Sequence, residues 1–418
     1  MQVIPDSFDY SEQLNHLPKG VQNTLISCSP NNGSSFTYGQ IIQVDLLTRG
    51  SIDPESLSIR YKLSTTNVVG TLMCGTPVYT PFAKLETQIN SQTIESISNY
   101  NVLCNNLVNV SMDVSQKYGR QPCYGYNGNG TTSSLESMDG RTMAVNEVNT
   151  YSAPLICMLS NAEKVIPAYL STGIRLLFTV DVAANMFANT FTASAFAITN
   201  FEVVYNLISI PDLESRVMNS NIPFNIKSNS YNVSSYPLNV SGGAGNITLP
   251  FSISYSSIRA LFFHFASTTG TGTVNGVYDS PDPTNGSGSY QISVSGVCYP
   301  QKPLNTFDNK SSIMQELYRT QGSIFNANNS MSIDNVEFYA IDGTTTTIDK
   351  PAKFLLGFNL NVVQYNNIFS GLNSNNSPIN LLITTNGAIL AAHNTLMLTN
   401  YDCLIQFDPS TKTVIIVK

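Results

Sequence analysis

The sequence predicts an all-β chain of two tandem β-sandwiches, with a few short helices in the loops. Three observations lead there. The 418 residues suit two domains of roughly 200 residues better than one. Most readable segments alternate apolar and polar residues with period two, the mark of half-buried antiparallel strands. A series of turn and strand signals in the first half also returns, in the same order, in the second.

Leu57, Ile59, Tyr61 and Leu63 alternate with Ser58, Arg60 and Lys62. Ile174, Leu176, Phe178, Val180 and Val182 form a second such run, and Leu356, Phe358, Leu360 and Val362 a third. Turn-rich stretches such as Pro30-Asn31-Asn32-Gly33 and Pro281-Asp282-Pro283-Thr284-Asn285-Gly286 separate them. The end of the chain reads as a hairpin: Tyr401 to Phe407, a turn over Asp408-Pro409-Ser410-Thr411, and Thr413 to Val417. Two short helices are expected. One spans Ile97 to Val110, with Ile97, Tyr100, Cys104, Leu107 and Val110 on one face. The other spans Ile313 to Gln321, with Ser312 and Gln315 as a capping box and Gly322 as its stop.

The repeat is the most informative signal. Thr199-Asn200-Phe201-Glu202 precedes the strand VVYNLISI, and Thr399-Asn400-Tyr401-Asp402, 200 residues later, precedes CLIQF. Upstream, Ser160-Asn161-Ala162-Glu163-Lys164 leads to Pro167 and the strand GIRLLFTV. Ser370-Gly371-Leu372-Asn373-Ser374 leads to Pro378 and INLLITT. A tandem duplication joined near Pro211 to Met218 follows. About eight strands per copy make each half a jelly roll or a related Greek key, so the expectation is a double jelly roll. The first roll, with an N-terminal arm, occupies residues 1–212 and the second 213–418. Wrapping two sheets face to face protects their edges, and two rolls in tandem give a rigid, thick block.

Composition narrows function. Hydrophobic residues are 42% of the chain, enough for a sizeable core, while charged residues are only 11%, well under the roughly 25% of average proteins. Asn, Ser, Thr and Gln supply the polarity instead. Such a surface packs readily against copies of itself, because little charge must be desolvated. The net charge is −7. The only modest basic clusters, Lys117 with Arg120 and Lys302 with Lys310, are too small to neutralise phosphates, so no direct nucleic-acid binding is expected. The seven cysteines (Cys28, Cys74, Cys104, Cys123, Cys157, Cys298 and Cys403) are odd in number and contain no CxxC pair. They read as buried free thiols of a reducing compartment, with no zinc site and no full disulfide framework. MQVIPDSFDYSEQ has neither a basic n-region nor an apolar h-region, so no signal peptide is expected. No run of 18 apolar residues offers a transmembrane segment.

A search for chemistry finds no candidate catalytic, cofactor-binding or metal site. Of the three histidines, His16, His264 and His393, His264 sits in ALFFHFAS, facing away from Phe263 and Phe265, and reads as a satisfied or exposed strand residue. His393 has no Cys or carboxylate at ligand spacing, and neither HxxxH nor HExxH occurs. No GxSxG elbow supports a nucleophile. Gly242-Gly243-Ala244-Gly245 and Gly270-Thr271-Gly272 lack the Lys-Ser/Thr of a P-loop and read as turns. Asp279 and Asp282 are close enough to share a calcium ion, but their loop lacks the fuller oxygen set such a site prefers. No pair of acids stands out for glycoside hydrolysis.

Four stretches then resemble one family. PFAKLETQINSQTIESISNYNVLCNNLV (81–108) is a strand pair leading into a helix. APLICMLSNAEKVIPAYLSTGIRLLFTVDV (153–182) is a small loop and a Pro before a strand. ITNFEVVYNLISIPDLESRVM (198–218) is a last strand with its linker. SSIRALFFHFASTTG (256–270), with QELYRTQGSIF (315–325), is similar to the opening of a second roll and its loop helix. In this order they resemble the double jelly-roll major capsid proteins of virophages, polinton-like viruses, large nucleocytoplasmic DNA viruses and tailless lipid-containing phages. None is a catalytic-grade signature; the order of the four carries the match.

The resemblance implies a viral structural protein of the virion, made in the host cytoplasm or nucleus. It implies a homotrimer whose six rolls form a pseudo-hexagonal tile, with tiles packing edge to edge into an icosahedral capsid beside minor capsid or penton proteins. It also implies an outward or intersubunit loop over Gly119 to Asn149, and an arm facing the shell interior over the first twenty residues. The alternative is a carbohydrate-binding β-sandwich, a spike or lectin-like protein. Against it stand the absence of tryptophan, which stacks on sugars, and of a signal peptide.

Overall fold

The structure, a computed structural model, describes residues 20–65, 71–126, 140–143, 148–187, 196–219, 222–239, 241–267, 276–307, 310–321, 331–339, 352–361, 371–375 and 377–418. The expected N-terminal arm, His16, Gly322 and most of the expected loop before Asn149 lie outside these residues.

The first half runs through β1 (Gln22–Cys28), β2 (Ser35–Phe36), β3 (Ile41–Leu46), β4 (Ser51–Ile52), β5 (Ser58–Thr65), β6 (Thr71–Met73), β7 (Phe82–Ile89) and β8 (Gln92–Ser98). Helices α1 (Tyr100–Ser111), α2 (Val114–Gly119) and α3 (Gln121–Tyr124) follow. Next come β9 (Arg141–Met143), β10 (Val148–Pro154), β11 (Ile174–Val180), α4 (Ala183–Met186) and β12 (Phe196–Ser209). Helix α5 (Pro211–Met218) connects to β13 (Phe224–Leu238), β14 (Gly245–Phe251), β15 (Ile258–Ser267), β16 (Gly288–Val294) and β17 (Val297–Asn305). The chain closes with α6 (Ser311–Gln321), α7 (Asn335–Tyr339), β18 (Leu355–Asn359), β19 (Ile379–Thr385), β20 (His393–Asp408) and β21 (Thr413–Val417).

Each half is built on two antiparallel sheets of four main strands; β2 and β4 add to β12, β21 adds to β20, and β6 pairs with β9 apart from them. In the first their orders are β1-β12-β5-β10 and β3-β11-β7-β8; in the second, β13-β20-β15-β18 and β14-β19-β16-β17. Replacing each strand of the first pair by its counterpart gives the second pair, so both halves are eight-stranded jelly rolls of one topology. Alternation sets the inner faces: β11 buries Ile174, Leu176, Phe178 and Val180 and leaves the residues between them part-exposed.

The 200-residue spacing persists in the hydrogen-bonded ladders. Cys28 pairs with Val203, and Ser228 with Cys403; Ile26 pairs with Tyr205, and Ile226 with Ile405. Both Thr-Asn-aromatic-acid tetrapeptides fall on the long strands β12 and β20, beside a break in ladder register. In the first roll the shift lies between Thr199 and Glu202, where Asn200 takes a φ of +49°. In the second it falls on the partner strand, between Ile258 and Ala260. The aromatic after each Asn anchors packing. Phe201 lies 5.1 Å from the Phe178 ring, and Tyr401 stacks on Tyr255 at 3.8 Å.

Several sequence expectations shift. Ile97 belongs to β8, and α1 starts at Tyr100. Helix α6 starts at Ser311, so Ser312 is already inside it and does not occupy the cap position expected of it. The segment expected to open the second roll contains β15, its third strand; β13 opens it. Val182 leaves the strand pattern, exposed at the start of α4. Strand β18 is buried on both faces, not one, because α6 lies across it. Gly357 permits that contact: a Cβ there would sit 2.9 Å from Leu317 Cδ1 and 3.1 Å from its Cα.

Gly357→Ala is therefore expected to force α6 away from β18 and to cost about 1–3 kcal/mol, measured by urea unfolding of the full chain.

Candidate functional site

The residues that the fold concentrates are those joining the two rolls. Strand β8, at one edge of a first-roll sheet, carries Glu95 on the same inward phase as Ile97. A carboxylate there needs donors, because burial without them costs several kcal/mol. Glu95 accepts the Met158 backbone N–H at 2.8 and 3.0 Å and the Thr87 hydroxyl at 3.0 Å, both from its own roll. From the second roll it accepts the Ser230 hydroxyl. Burial pushes its carboxyl above the usual carboxylate range, against the pull of these donors.

Around it the 157–163 loop and β13 are laced together. Ser228 Oγ donates to Met158 O at 2.6 Å, Asn161 Nδ2 to Asn229 O at 3.2 Å, and Glu163 N to Lys227 O at 2.9 Å. Lys227 Nζ also lies 3.4 Å from Glu163 Oε1. Farther along, Asn90 Nδ2 donates to Lys412 O at 2.9 Å.

Helix α1 makes the other half of the joint. Its apolar stripe packs inward as expected, but its polar stripe is buried too. Asn101, Asn105, Asn106 and Asn109 are all shielded from water. Asn101 Nδ2 donates to Asp181 Oδ2 at 2.7 Å, and Asn105 Oδ1 accepts the Thr76 hydroxyl at 3.0 Å. The last two reach the second roll. Asn106 Nδ2 lies 3.2 Å from His264 Nδ1, and the Asn109 carbonyl accepts the Ser332 N–H at 2.9 Å. Nearby, Gly75 (φ +63°) lets Tyr278 of the second roll approach so closely that a Cβ would lie 2.7 Å from its ring.

The sequence-selected residues resolve as follows. His264 is buried, not exposed. Its Nε2 lies 2.9 Å from the Val277 carbonyl and so carries the proton, leaving Nδ1 to accept from Asn106. Burial lowers its pKa to about 4. His393 is buried at the start of β20. Asp279 and Asp282 each hold protein partners. Asp279 accepts the Ala352 N–H at 2.6 Å. Asp282 is occupied by Thr284, Gly286 and the Tyr290 hydroxyl, with Lys310 at 3.0 Å. Lys117 and Lys310 are both buried, so neither basic cluster forms a surface patch. Gly242 to Gly245 form the turn into β14; Gly270-Thr271-Gly272 lies outside the described residues. None of the seven cysteines forms a disulfide. Cys28, Cys74, Cys104, Cys157 and Cys403 are buried, but Cys123 is exposed and Cys298 half-exposed.

The joint itself was missed in the sequence. Glu95 sharing a phase with Ile97 was one available signal. The Asn spacing along α1 was another, but a polar stripe reads equally well as a solvated face.

Two predictions follow from this geometry. Glu95→Ala strands donors from Met158, Thr87 and Ser230 and is expected to cost about 2–4 kcal/mol, read by urea unfolding. His264 binds its proton more weakly folded than unfolded, where the pKa is about 6.5. The stability tied to its neutral form is thus complete above that value and lost as pH falls toward 4, about 3 kcal/mol in all. The stability of wild type minus that of His264→Gln, measured from pH 7 to 4, is expected to fall by that order.

No protein-family model matches the chain, and no curated protein matches its sequence. Solved structures do. The chain superposes on a subunit of the PBCV-1 virus capsid with TM-score 0.63 and 11% identity, covering 97% of this chain and 99% of that one. It matches the Faustovirus major capsid protein with TM-score 0.60 and 9% identity, over 94% of this chain and 92% of that one. It matches the mavirus major capsid protein with TM-score 0.52 and 10% identity, over 100% of this chain and 95% of that one. With two rolls of one topology, fused through a buried polar joint and aligned nearly end to end with these proteins, the chain has the double jelly-roll fold of viral major capsid proteins.

Proposed function

We propose that this chain is the major capsid protein of an icosahedral virus, acting by self-assembly and not by catalysis. The observation that carries this reading is the pairing of two equivalent jelly rolls in one rigid block. It spans nearly the whole length of the capsid proteins it resembles. Three such blocks close into a pseudo-hexagonal trimer, and trimers tile the shell together with minor capsid or penton proteins. The boundary between the rolls falls at residue 212, inside α5. The low charged fraction supports the reading, since each contact desolvates few ions. So does the burial of Lys117 and Lys310, which leaves neither basic cluster free to bind nucleic acid. The buried titratable groups fit structural roles: Glu95, Asp282 and His264 are each taken up by protein partners. No comparison supports the carbohydrate-binding alternative.

Sedimentation of the purified full chain is expected to give a trimer at micromolar concentration, with hexagonal tiles in electron micrographs. A strict monomer overturns the proposal, and a monomer that binds oligosaccharides favours the lectin-like reading.

A further inference from the structure

The two rolls differ along one edge. Strands β3 and β14 are register counterparts. Ile42 pairs with Phe178 and Val44 with Leu176, as Ile247 pairs with Ile383 and Leu249 with Leu381. Ile41 therefore corresponds to Asn246, and Gln43 to Thr248. Both strands end their sheets, so each turns a row of backbone N–H and C=O groups away from its ladder. In the first roll that row is covered. The turn over Pro30-Asn31-Asn32-Gly33 leaves β1 and lies along β3. Asn32 Nδ2 donates to Ile41 O at 2.6 Å, and Asn32 Oδ1 accepts the Gln43 N–H at 3.0 Å. The Gln43 carbonyl accepts the Asn31 N–H at 3.0 Å. One primary carboxamide, with donor and acceptor side by side, thus stands in for a paired strand. Gly33 brings the turn down on Phe36, whose ring a Cβ would meet at 3.3 Å.

In the second roll no such turn forms, because β13 runs unbroken from Phe224 to Leu238. The same stretch of β14 borders an open groove of about 350 Å³, whose walls include Tyr236, Leu238, Asn239, Ile247 and Thr248. Ile247 is half-buried where Ile42 is fully buried. Among the described residues, the Thr248 N–H and the Asn246 carbonyl have no partner outside the ladder. Each of the two edge strands carries a proline, Pro237 and Pro250, which lacks the N–H an added strand would use. The groove therefore suits a compact turn and resists a docked strand. No charged side chain lines it.

We propose that this groove binds an asparagine-bearing turn of another protein. Its carboxamide bridges the Asn246 carbonyl and the Thr248 N–H, as that of Asn32 bridges Ile41 and Gln43. The occupant is a turn because the counterpart edge already shows what fits there. It is uncharged because the groove offers no ion to pair with one. It comes from another protein because this chain's own turn is held in place on the first roll. Asp45, which also accepts from Asn31 Nδ2 at 2.6 Å, has Pro250 as its counterpart. Recognition therefore rests on the residue matching Asn32, and the one before it is free to vary. The site lies wholly within the second roll and does not depend on trimer formation.

The test is saturation-transfer NMR on the purified full chain with an excess of a cyclic peptide copying Ser29 to Ser34. Saturation is expected to pass to the peptide. Asn32→Leu in the peptide removes both side-chain bonds and is expected to weaken binding about tenfold. Thr248→Pro in the protein removes the N–H that the carboxamide needs and is expected to weaken it by a similar factor. Pro250, two residues along the same edge, shows that the strand accepts a proline there, and circular dichroism and melting check the fold. Asn239→Arg, at an exposed position of the groove, serves should Thr248→Pro misfold. Ile415→Ser, exposed on β21, is the control and should bind as wild type. No transfer from the folded wild-type chain overturns the proposal. So does transfer that survives both Asn32→Leu in the peptide and the groove variant. Transfer to N-acetylglucosamine in place of the peptide also overturns it and makes the groove a sugar site. Each of these results leaves the capsid reading standing, because sedimentation decides that separately.

Discussion

The molecule depends on one constraint: the two rolls must present a single dry surface to each other although their facing residues are polar. Glu95, four asparagines of α1, His264 and the serines of β13 all lie in that zone. A partly satisfied set of this kind would be worse than an apolar one, because each orphaned group is stranded in a low dielectric. Here the partners interlock across the zone, so the geometry that satisfies one group fixes the next. Directional contacts of this sort give the rolls one relative orientation, which a greasy interface would specify less sharply.

The duplicated topology explains why one chain can tolerate this. Each roll has its own close-packed aromatic core. Phe82, Phe178 and Phe201 meet in the first, and Phe265, Tyr290 and Phe354 in the second. Burial of these rings supplies the main driving force for each sandwich. The joint is left to set orientation. Buried ion pairs follow the same division. Lys310 with Asp282 and Lys353 with Glu337 lie inside the second roll, and Asp282 also accepts the hydroxyl of Tyr290 on β16.

Much of the architecture was legible in the residues. Period-two alternation located β5 and β11, and the Thr-Asn tetrapeptides marked β12 and β20 because both sit beside a break in ladder register, on β12 itself in the first roll and on its partner β15 in the second. Legibility failed where one element covers another. Strand β18 was read as one-faced, and only Gly357, a residue without a side chain, hinted that α6 lies on its outer face. The polar stripe of α1 carries no mark of its partner, because sequence does not say whether water or a second domain faces it. The joint is a property of two distant segments meeting, and neither carries a motif of its own.

The cysteines have a consequence for durability. Burial raises the thiols of Cys74, Cys157 and Cys403 to about 12, and a neutral thiol is a poor nucleophile. In an oxidising medium such buried, protonated sulfurs react slowly. Thiol exchange then narrows to Cys123 and Cys298, the two sulfurs within reach of solvent.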